Sequence, residues 1–242
     1  MAKKNRELNR TERAAALRAE QESAERNRKI AIIGAVVVVI AIVAGAMFWM
    51  QGTGSKKSPV NTSMPASVGD HSLKIGPDDA AHKVVVWEDF LCPYCREFEQ
   101  GSRDALHAAA ENGSVQVEYR PFQLLQDDYS KHALAAFAFV LEKGTPQQAL
   151  ALHDMMFDEQ PYEQGRKPSV STIAGWVKKV GLDKGEAEKA IEAGGTEWNT
   201  AMAKAASEAG VRSTPTVTVD GKPLEGASIT DMINNLETQI AK

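Results

Sequence analysis

The sequence predicts an α/β domain with a helical insertion, preceded by one N-terminal transmembrane helix. Three observations support this prediction. An uncharged apolar run occupies residues 30–50, a strand–helix–strand pattern occupies residues 83–122, and a mostly helical stretch at about residues 128–210 precedes a C-terminal hairpin and helix. With 242 residues, the chain has room for one domain of ordinary size and these appendages.

The net charge of the chain is small but unevenly distributed. Residues 1–29 contain nine Lys/Arg and five Asp/Glu, a local balance of +4 in a chain whose total is −4. The remaining residues therefore carry −8, which argues against nucleic acid as the partner of the main domain. We expect residues 1–29 to form a charged, solvated tail.

The apolar run IAIIGAVVVVIAIVAGAMFWM at residues 30–50 contains no charged side chain. Its 21 residues are long enough, as a helix, to cross a hydrocarbon layer of about 30 Å. A cleaved signal peptide is the alternative, because Ala44-Gly45-Ala46 resembles a cleavage site. The run is longer than the apolar region of a typical signal peptide, and 29 residues precede it, so we predict an uncleaved transmembrane anchor.

Basic residues on the two sides of this run predict its orientation. Arg26, Arg28 and Lys29 adjoin its N-terminal side, whereas the far side offers only Lys56 and Lys57. By the positive-inside rule the N-terminus is cytoplasmic and the main domain is extracytoplasmic, in a single-pass cell-membrane protein. Disulfides persist in such compartments.

The region after the apolar run changes in composition twice. Residues 51–70 are rich in Gly, Ser, Thr and Pro, so we predict a flexible linker there and a folded domain at residues 71–242. SLKIG (72–76) predicts a short edge strand, and KVVVWEDF (83–90) predicts a strand buried on both faces. A helix ending at Asn112-Gly113 and a strand at residues 114–122 complete a parallel βαβ unit.

Capping and turn residues indicate the elements of the second half. Thr145 opens a capping box with proline at the first helical position, Asp183 starts another helix, and Thr196 is predicted to cap a helix that ends at Gly210. TVTVDGKPL then predicts a hairpin with a type I′ turn at Asp220-Gly221, and Ser228 caps the last helix.

Both cysteines of the chain lie in the segment DFLCPYCREF (89–98). A structural zinc site normally needs four ligands, and the five histidines show no paired spacing, so we predict no metal site. A structural clip is also a poor explanation, because closing so small a loop removes little unfolded-state entropy. The pattern favours a reversible redox couple.

The position of the pair at a strand-to-helix junction supports this interpretation. Cys92 lies near the unpaired N–H groups and the partial positive charge of the helix start, which stabilise a thiolate. Pro93 and Tyr94 fit the first helical turn, and Cys95, one turn in, should be the less accessible sulfur. We predict that Cys92 and Cys95 are catalytic and form a redox-active disulfide, with Cys92 bonded to the partner in a mixed disulfide.

VVVWEDFLCPYC (84–95), the helical middle and GVRSTPTVTVDG (210–221) together resemble membrane-anchored DsbA-like thiol–disulfide oxidoreductases, over roughly residues 71–241. The resemblance implies a thioredoxin fold with a helical insertion, protein-disulfide oxidoreductase activity and no cofactor. It also implies that the Thr214-Pro215 bond is cis and lies against the cysteine pair. There an extended substrate segment would pair with the Thr214 backbone, and the Thr214 hydroxyl would hydrogen-bond a thiolate.

One position departs from the family pattern. Many relatives have a buried acid six residues before the first cysteine, where it helps to move protons for the second thiol, and this chain has Val86 there. Glu88 or Asp89 is the candidate replacement for proton handling, and the alternative is that they are solvated carboxylates at a strand end.

The leading functional prediction is an oxidase that introduces disulfides into exported proteins with cysteine thiols. The family implies reoxidation by a membrane quinone reductase of the DsbB or vitamin K epoxide reductase-like type. A reductase or disulfide isomerase on the same fold is the nearest alternative. An alternative of another class is a non-enzymatic, membrane-tethered binding domain whose disulfide only staples a turn.

Overall fold

The computed structural model describes residues 60–161 and 165–241, which contain six strands and seven helices. The strands are β1 (Ala66–Val68), β2 (Leu73–Ile75), β3 (His82–Glu88), β4 (Val115–Pro121), β5 (Thr216–Val219) and β6 (Lys222–Pro223). The helices are α1 (Pro93–Glu111), α2 (Asp128–Lys143), α3 (Pro146–Asp158), α4 (Val170–Lys179), α5 (Lys184–Ala193), α6 (Thr196–Glu208) and α7 (Ile229–Ile240).

The predicted tail and transmembrane helix, and the first part of the predicted linker, lie outside the described residues. Among the helices α1–α7, none is long and apolar enough to cross a membrane.

The six strands form one sheet in the order β1-β2-β4-β3-β5-β6. β3 and β4 pair in parallel, with Val84 opposite Val117 and Val86 opposite Tyr119, and the other four pairings are antiparallel. The predicted βαβ unit is confirmed, because α1 connects the two parallel strands. β3 lies in the middle of the sheet, and the cysteine motif follows it directly.

The two faces of the sheet are covered by different helices. Val84 and Val86 belong to the main core, to which α1, α3 and α7 contribute. Trp87 faces the other side, where it packs with Phe122 from the segment after β4 and with Met202 of α6. Since side chains alternate along a strand, Glu88 lies on the same face as Val84 and Val86, beneath α1 and α3. This face contains the candidate site.

The folded domain starts earlier than the predicted boundary at residue 71. Met64 is buried in the main core, and β1 pairs with β2 through Ala66–Ile75 and Val68–Leu73. The Ser- and Pro-rich composition suggested a flexible linker up to residue 70, but an edge strand of three residues needs few apolar side chains of its own. β1 also makes β2 an interior strand, where an edge strand was predicted.

Local capping signals account for most of the helix boundaries. Thr145 and Gln148 form the predicted capping box of α3, and Asp183 and Ser228 cap α5 and α7. The prediction for Thr196 was wrong: Gly195 is the N-cap of α6, with φ 52°, and Thr196 is the first helical residue. A Cβ at Gly195 would lie 3.2 Å from the Ala135 backbone, so close packing against α2 favours glycine there.

The hairpin near the C-terminus was predicted correctly. Asp220 and Gly221 both have positive φ, 52° and 75°, as a type I′ turn requires. The Asp220 carboxylate also accepts hydrogen bonds from the Lys83 N–H and the His82 ring, at 2.8 and 2.9 Å. These contacts attach the hairpin to β3 at the end of the sheet opposite the cysteine motif.

Candidate active site

Both cysteines lie where β3 passes into α1. Cys92 is the N-cap residue of α1, with φ −68° and ψ 119°, and Pro93 occupies the first helical turn. The Cys92 N–H donates to the Asp89 carbonyl at 3.0 Å, and the Cys92 carbonyl accepts from the Arg96 N–H at 3.2 Å. The missing N–H of Pro93 costs no hydrogen bond at this position. The strand and the helix thus hold the Cys92 backbone from both sides.

The cysteines and the tyrosine of the motif differ in exposure. Cys92 is 6% exposed and Cys95 is 1% exposed, whereas Tyr94 between them is 60% exposed. Both cysteines are free thiols, so the structure represents the dithiol form. Both sulfurs are buried in the core, and Cys92 is the more exposed of the two, which is the predicted order of access.

The two thiols have different pKa values because their environments differ. Hydrogen bonding from the Cys95 side chain lowers the pKa of Cys92 to about 6, and the Thr214 side chain and the N–H groups of Cys95 and Tyr94 add to this against the cost of burial. Burial raises the pKa of Cys95 well above its usual value, and the adjacent Cys92 charge raises it further. At neutral pH the pair therefore consists of one thiolate and one thiol.

The loop before β5 brings Thr214 to Cys92. The Thr214-Pro215 bond is cis, as expected, and the Cys92 sulfur lies 3.4 Å from the Thr214 carbonyl oxygen, to which it donates a hydrogen bond only in its thiol form. A cavity of about 660 Å³ lies beside Pro215, between the β5–β6 hairpin and α7, and Leu224 and Met232 are among its lining residues. The loop thus borders the thiolate, while its role in substrate binding stays a prediction.

Asp89, one of the two acids considered for proton handling, is a buried structural acceptor. Its carboxylate accepts hydrogen bonds from the Leu91, Leu124 and Leu125 N–H groups, each at 2.8 Å, and from the Ser130 hydroxyl at 2.7 Å. Burial raises the pKa of Asp89, although these hydrogen bonds oppose the shift. The alternative of a solvated strand-end carboxylate is therefore wrong for Asp89, which joins the motif to the segment after β4.

Glu88, the other candidate acid, is also buried and forms an ion pair with a histidine of the insertion. Its Oε1 lies 2.7 Å from Nε2 of His153, and the two side chains are 1% and 0% exposed. Burial alone lowers the pKa of His153, but the Glu88 and Glu99 carboxylates more than offset this and raise it to about 10. His153 is therefore an imidazolium at neutral pH, and the solvated alternative is wrong for Glu88 as well.

Further charges surround His153 on the side of α1 and α3. Its Nδ1 lies 3.2 Å from Oδ1 of Asp154 and 3.9 Å from Glu99, and the Arg103 guanidinium bonds Glu99 at 3.0 Å. Burial raises the pKa of Glu99 to about 7, although His153 lowers it. Arg103 also pairs with Asp158, near the surface. These residues form a buried charge cluster that extends from beneath the motif towards solvent.

Within the described part of the chain, one group of side chains has possible ligand atoms close enough together to hold a metal ion. It consists of Glu88, Glu99 and His153, whose ligand atoms lie within 4.8 Å of one another. Their contacts fit an ion-pair cluster better. The two ring nitrogens of His153 engage different acids, and one ion cannot bind both nitrogens of a ring. Arg103 and the imidazolium already supply the positive charge that these carboxylates need.

Two residues of the site were missed by sequence reasoning, and both come from the insertion. His153 is an isolated histidine in a helix, a pattern that usually means a core residue. Gln160, just after α3, is 7% exposed and donates to the carbonyls of Phe90 and Cys92 at 2.8 and 3.1 Å. Nothing in the local sequence distinguishes this glutamine from other polar residues near a helix end.

Comparison with known proteins supports the same fold. A family model described as thioredoxin matches residues 68–236, which is more than half of the chain. No curated protein sequence matches the chain significantly.

Solved structures of thiol–disulfide oxidoreductases resemble the fold. The MdbA protein, a thiol–disulfide oxidoreductase from Corynebacterium diphtheriae, is 24% identical, with a TM-score of 0.61 over 77% of this chain and 100% of that chain. Reduced DsbA from Mycobacterium tuberculosis is 24% identical, with a TM-score of 0.59 over 71% and 93%. Oxidised BdbD from Bacillus subtilis is 17% identical, with a TM-score of 0.63 over 74% and 91%. At these identities the likeness shows a shared fold.

Proposed function

This chain belongs to the thioredoxin family, and on that premise we propose that it is a protein-disulfide oxidoreductase acting as an oxidase. Its Cys92–Cys95 disulfide would be donated to exported proteins. Structural likeness to MdbA, DsbA and BdbD supports this class of activity. The reaction uses no cofactor, since both reacting sulfurs belong to the chain.

The observation that carries the proposal is the separated acidity of the two thiols. With a pKa of about 6, Cys92 is mainly a thiolate at neutral pH. The interactions that stabilise this thiolate also stabilise the reduced form of the protein. Stabilising the reduced form makes the corresponding disulfide a stronger oxidant. The lowered pKa of Cys92 thus shifts the couple in the direction of an oxidase, and the reduction potential decides between oxidase and reductase.

The expected reaction consists of two exchanges. A substrate thiolate attacks the Cys92 sulfur, the Cys92–Cys95 bond breaks, and Cys95 leaves with the electron pair and takes up a proton. A second substrate thiolate then attacks the substrate sulfur of the mixed disulfide, and Cys92 leaves as a thiolate. The substrate dithiol is oxidised to a disulfide, and the disulfide of the enzyme is reduced to the dithiol.

We assign the proton handling at Cys95 to Glu88, paired with His153. Glu88 is buried on the sheet face covered by α1, the helix that contains Cys95, and its charge is one of the causes that raise the pKa of Cys95. Asp89 is a poorer candidate because all four of its carboxylate contacts are structural hydrogen bonds. Glu88 would take the place of the acid that is absent at Val86.

The predicted anchor would place this chemistry outside the cytoplasm, with a membrane quinone reductase of the DsbB or vitamin K epoxide reductase-like type as the oxidant. This part of the proposal rests on the sequence, namely the apolar residues 30–50 and the basic residues before them. Protease added outside intact cells lacking an outer barrier should digest residues 60–241 and spare residues 1–29. Protection of the domain from that protease would reverse the proposed orientation.

One measurement separates the oxidase from its alternatives: the equilibrium potential of the Cys92/Cys95 couple against glutathione. An oxidase of this kind is expected near −120 mV, and a reductase near −270 mV. A potential well below about −300 mV, with no exchange activity, would indicate a structural staple in a binding domain. A value of about −180 mV would favour an isomerase.

A further inference from the structure

Gln160, in the helical insertion, hydrogen-bonds the backbone of the redox motif directly. This residue follows the C-terminal end of α3 and is 7% exposed. Its Nε2 donates to the Phe90 carbonyl at 2.8 Å and to the Cys92 carbonyl at 3.1 Å. One amide group thus bridges two carbonyls on the bend that leads from β3 into α1.

The two carbonyls are placed where they affect the reactive sulfur. The Cys92 carbonyl is the N-cap carbonyl of α1. The direction in which this carbonyl points is set by the Cys92 ψ angle, which is 119°. That backbone conformation places the Cys92 sulfur near the donors that stabilise its thiolate, which are the side chains of Cys95 and Thr214 and the N–H groups of Tyr94 and Cys95. A change in the bend would therefore move the sulfur away from the groups that stabilise its thiolate.

Loss of the amide would also leave acceptors unpaired inside the protein. Phe90 is 1% exposed, so a carbonyl that loses its donor there keeps the full cost of its desolvation. The Cys92 carbonyl retains the Arg96 N–H, at 3.2 Å. The backbone from Phe90 to Cys92 would then shift to bring the Phe90 carbonyl to another donor, and the Cys92 conformation would change with this shift.

We propose that Gln160 is a positioning residue that holds Cys92 in its thiolate-stabilising conformation, so that the insertion sets the redox poise of the motif. This inference rests on the proposed function, because it concerns the same sulfur. Gln160 takes no part in bond making or breaking; it acts through the Phe90–Cys92 bend.

The test is Gln160→Met, which keeps the side-chain volume and removes both donated hydrogen bonds. The pKa of Cys92 is measured from thiolate absorbance near 240 nm and from the pH dependence of alkylation. We expect it to rise by about one unit, the size expected for loss of a typical hydrogen bond. At pH 8 the equilibrium constant against glutathione should then shift by about tenfold, or roughly 30 mV, towards a weaker oxidant.

The matched control is Gln147→Met, in the first turn of α3, the helix that Gln160 follows. The Gln147 side chain donates to the Met64 carbonyl at 3.0 Å, so the control also removes a bond from an insertion side chain to a backbone carbonyl, at a site away from the motif. We expect the control to leave the Cys92 pKa and the equilibrium constant unchanged within about twofold, even if both variants lose similar stability.

Each outcome of this test bears on the inference. If Gln160→Met is folded and its Cys92 pKa and equilibrium constant equal those of the wild type, the glutamine is purely structural and the proposal is wrong. Should Gln160→Met fail to fold, Gln160→Ala, which also removes both donated hydrogen bonds, is measured in the same way and decides the question by the same criterion. Absence of any thiol exchange in the wild-type protein would refute the proposed function itself.

Discussion

The imidazole of His153 and the carboxylate of Glu88 form a 2.7 Å ion pair that is closed to solvent on both sides. Glu88 ends the central strand β3, whereas His153 comes from the inserted helix α3. The pair also lies against aromatic rings, with the Tyr119 ring centroid 4.3 Å from that of His153. A charge pair in such surroundings is costly to break, which makes its contribution measurable.

His153→Gln should lower the free energy of unfolding by about 3–5 kcal/mol, the usual cost of leaving one partner of a buried ion pair unpaired. The measurement is denaturant unfolding at pH 7. The matched control is His82→Gln, which removes a His–Asp220 pair at the other end of β3, where the two side chains are 21% and 46% exposed. That pair should contribute only about 0–1 kcal/mol. Equal losses in the two variants would contradict the prediction.

The pH dependence of stability should report the same pair. The folded-state pKa of His153 is raised from 6.5 to about 10, so its stabilising contribution is complete below pH 6.5 and is lost as the pH rises through 10. In a background with both cysteines replaced by serine, stability should fall from pH 7 to pH 10, and His153→Gln should remove most of that slope. An unchanged slope in that variant would mean that His153 titrates in the ordinary range.

The Cys92 thiolate should give the reduced protein the opposite pH dependence of stability. Its folded-state pKa is lowered from 9.0 to about 6, so the contribution is complete above pH 9 and is lost as the pH falls through 6. The difference in unfolding free energy between the reduced wild type and Cys92→Ser should therefore increase from pH 6 to pH 9. Alkylation of Cys92 should show a midpoint near pH 6, and a midpoint near pH 9 would refute the assigned acidity.

Variants that lack one or the other cysteine should differ in whether they accumulate mixed disulfides with substrate proteins. Cys95→Ala should accumulate mixed disulfides with substrate proteins, because Cys92 is the sulfur at the helix start and its resolving partner is gone. Cys92→Ala should trap none, since the remaining Cys95 is 1% exposed and its pKa is raised. Both are assayed by acid quenching, alkylation and non-reducing electrophoresis. Equal trapping by the two variants would contradict the assignment of Cys92 as the sulfur that bonds to the substrate.

Glu88 and Asp89 should separate into one proton-handling residue and one structural residue. Glu88→Gln should slow the release of glutathione from a Cys92–glutathione mixed disulfide by at least about tenfold near neutral pH, because Cys95 must lose its proton to attack and the Glu88 carboxylate that would accept this proton is gone. Glu88 acting only as a charge that raises the Cys95 pKa would give the opposite result, a faster release. Stopped-flow measurement of that release, as a function of pH, follows the step directly.

Asp89→Asn is the comparison for this experiment. In either orientation its amide nitrogen would face a backbone N–H that now donates to a carboxylate oxygen, that of Leu91 or those of Leu124 and Leu125, so stability should fall by about 1–3 kcal/mol. The pH profile of glutathione release should keep its shape in this variant. A normal rate in Glu88→Gln together with a slow one in Asp89→Asn would reverse the two roles.

Local signals in the sequence determined the elements around the motif. The β-branched run of β3, the Thr145 capping box, the Ser228 cap and the Asp220-Gly221 turn each involve residues within a few positions of one another. Their conformations follow from backbone geometry and near-neighbour hydrogen bonds, so the pattern alone predicts them. The placement of both cysteines at a strand-to-helix junction follows in the same way, and with it the more accessible position of Cys92.

Only the tertiary structure decided what surrounds the two sulfurs. His153 and Gln160 lie 65 and 68 residues from Glu88 and Cys92, the groups that they contact, and Thr214 lies 122 residues from Cys92. The sequence placed Glu88 and Asp89 at a strand end and left their burial open, because burial depends on which helix covers the strand. The physical reason is that hydrogen bonds and ion pairs in a buried site are made between chain segments brought together by packing, and spacing along the chain does not record that packing.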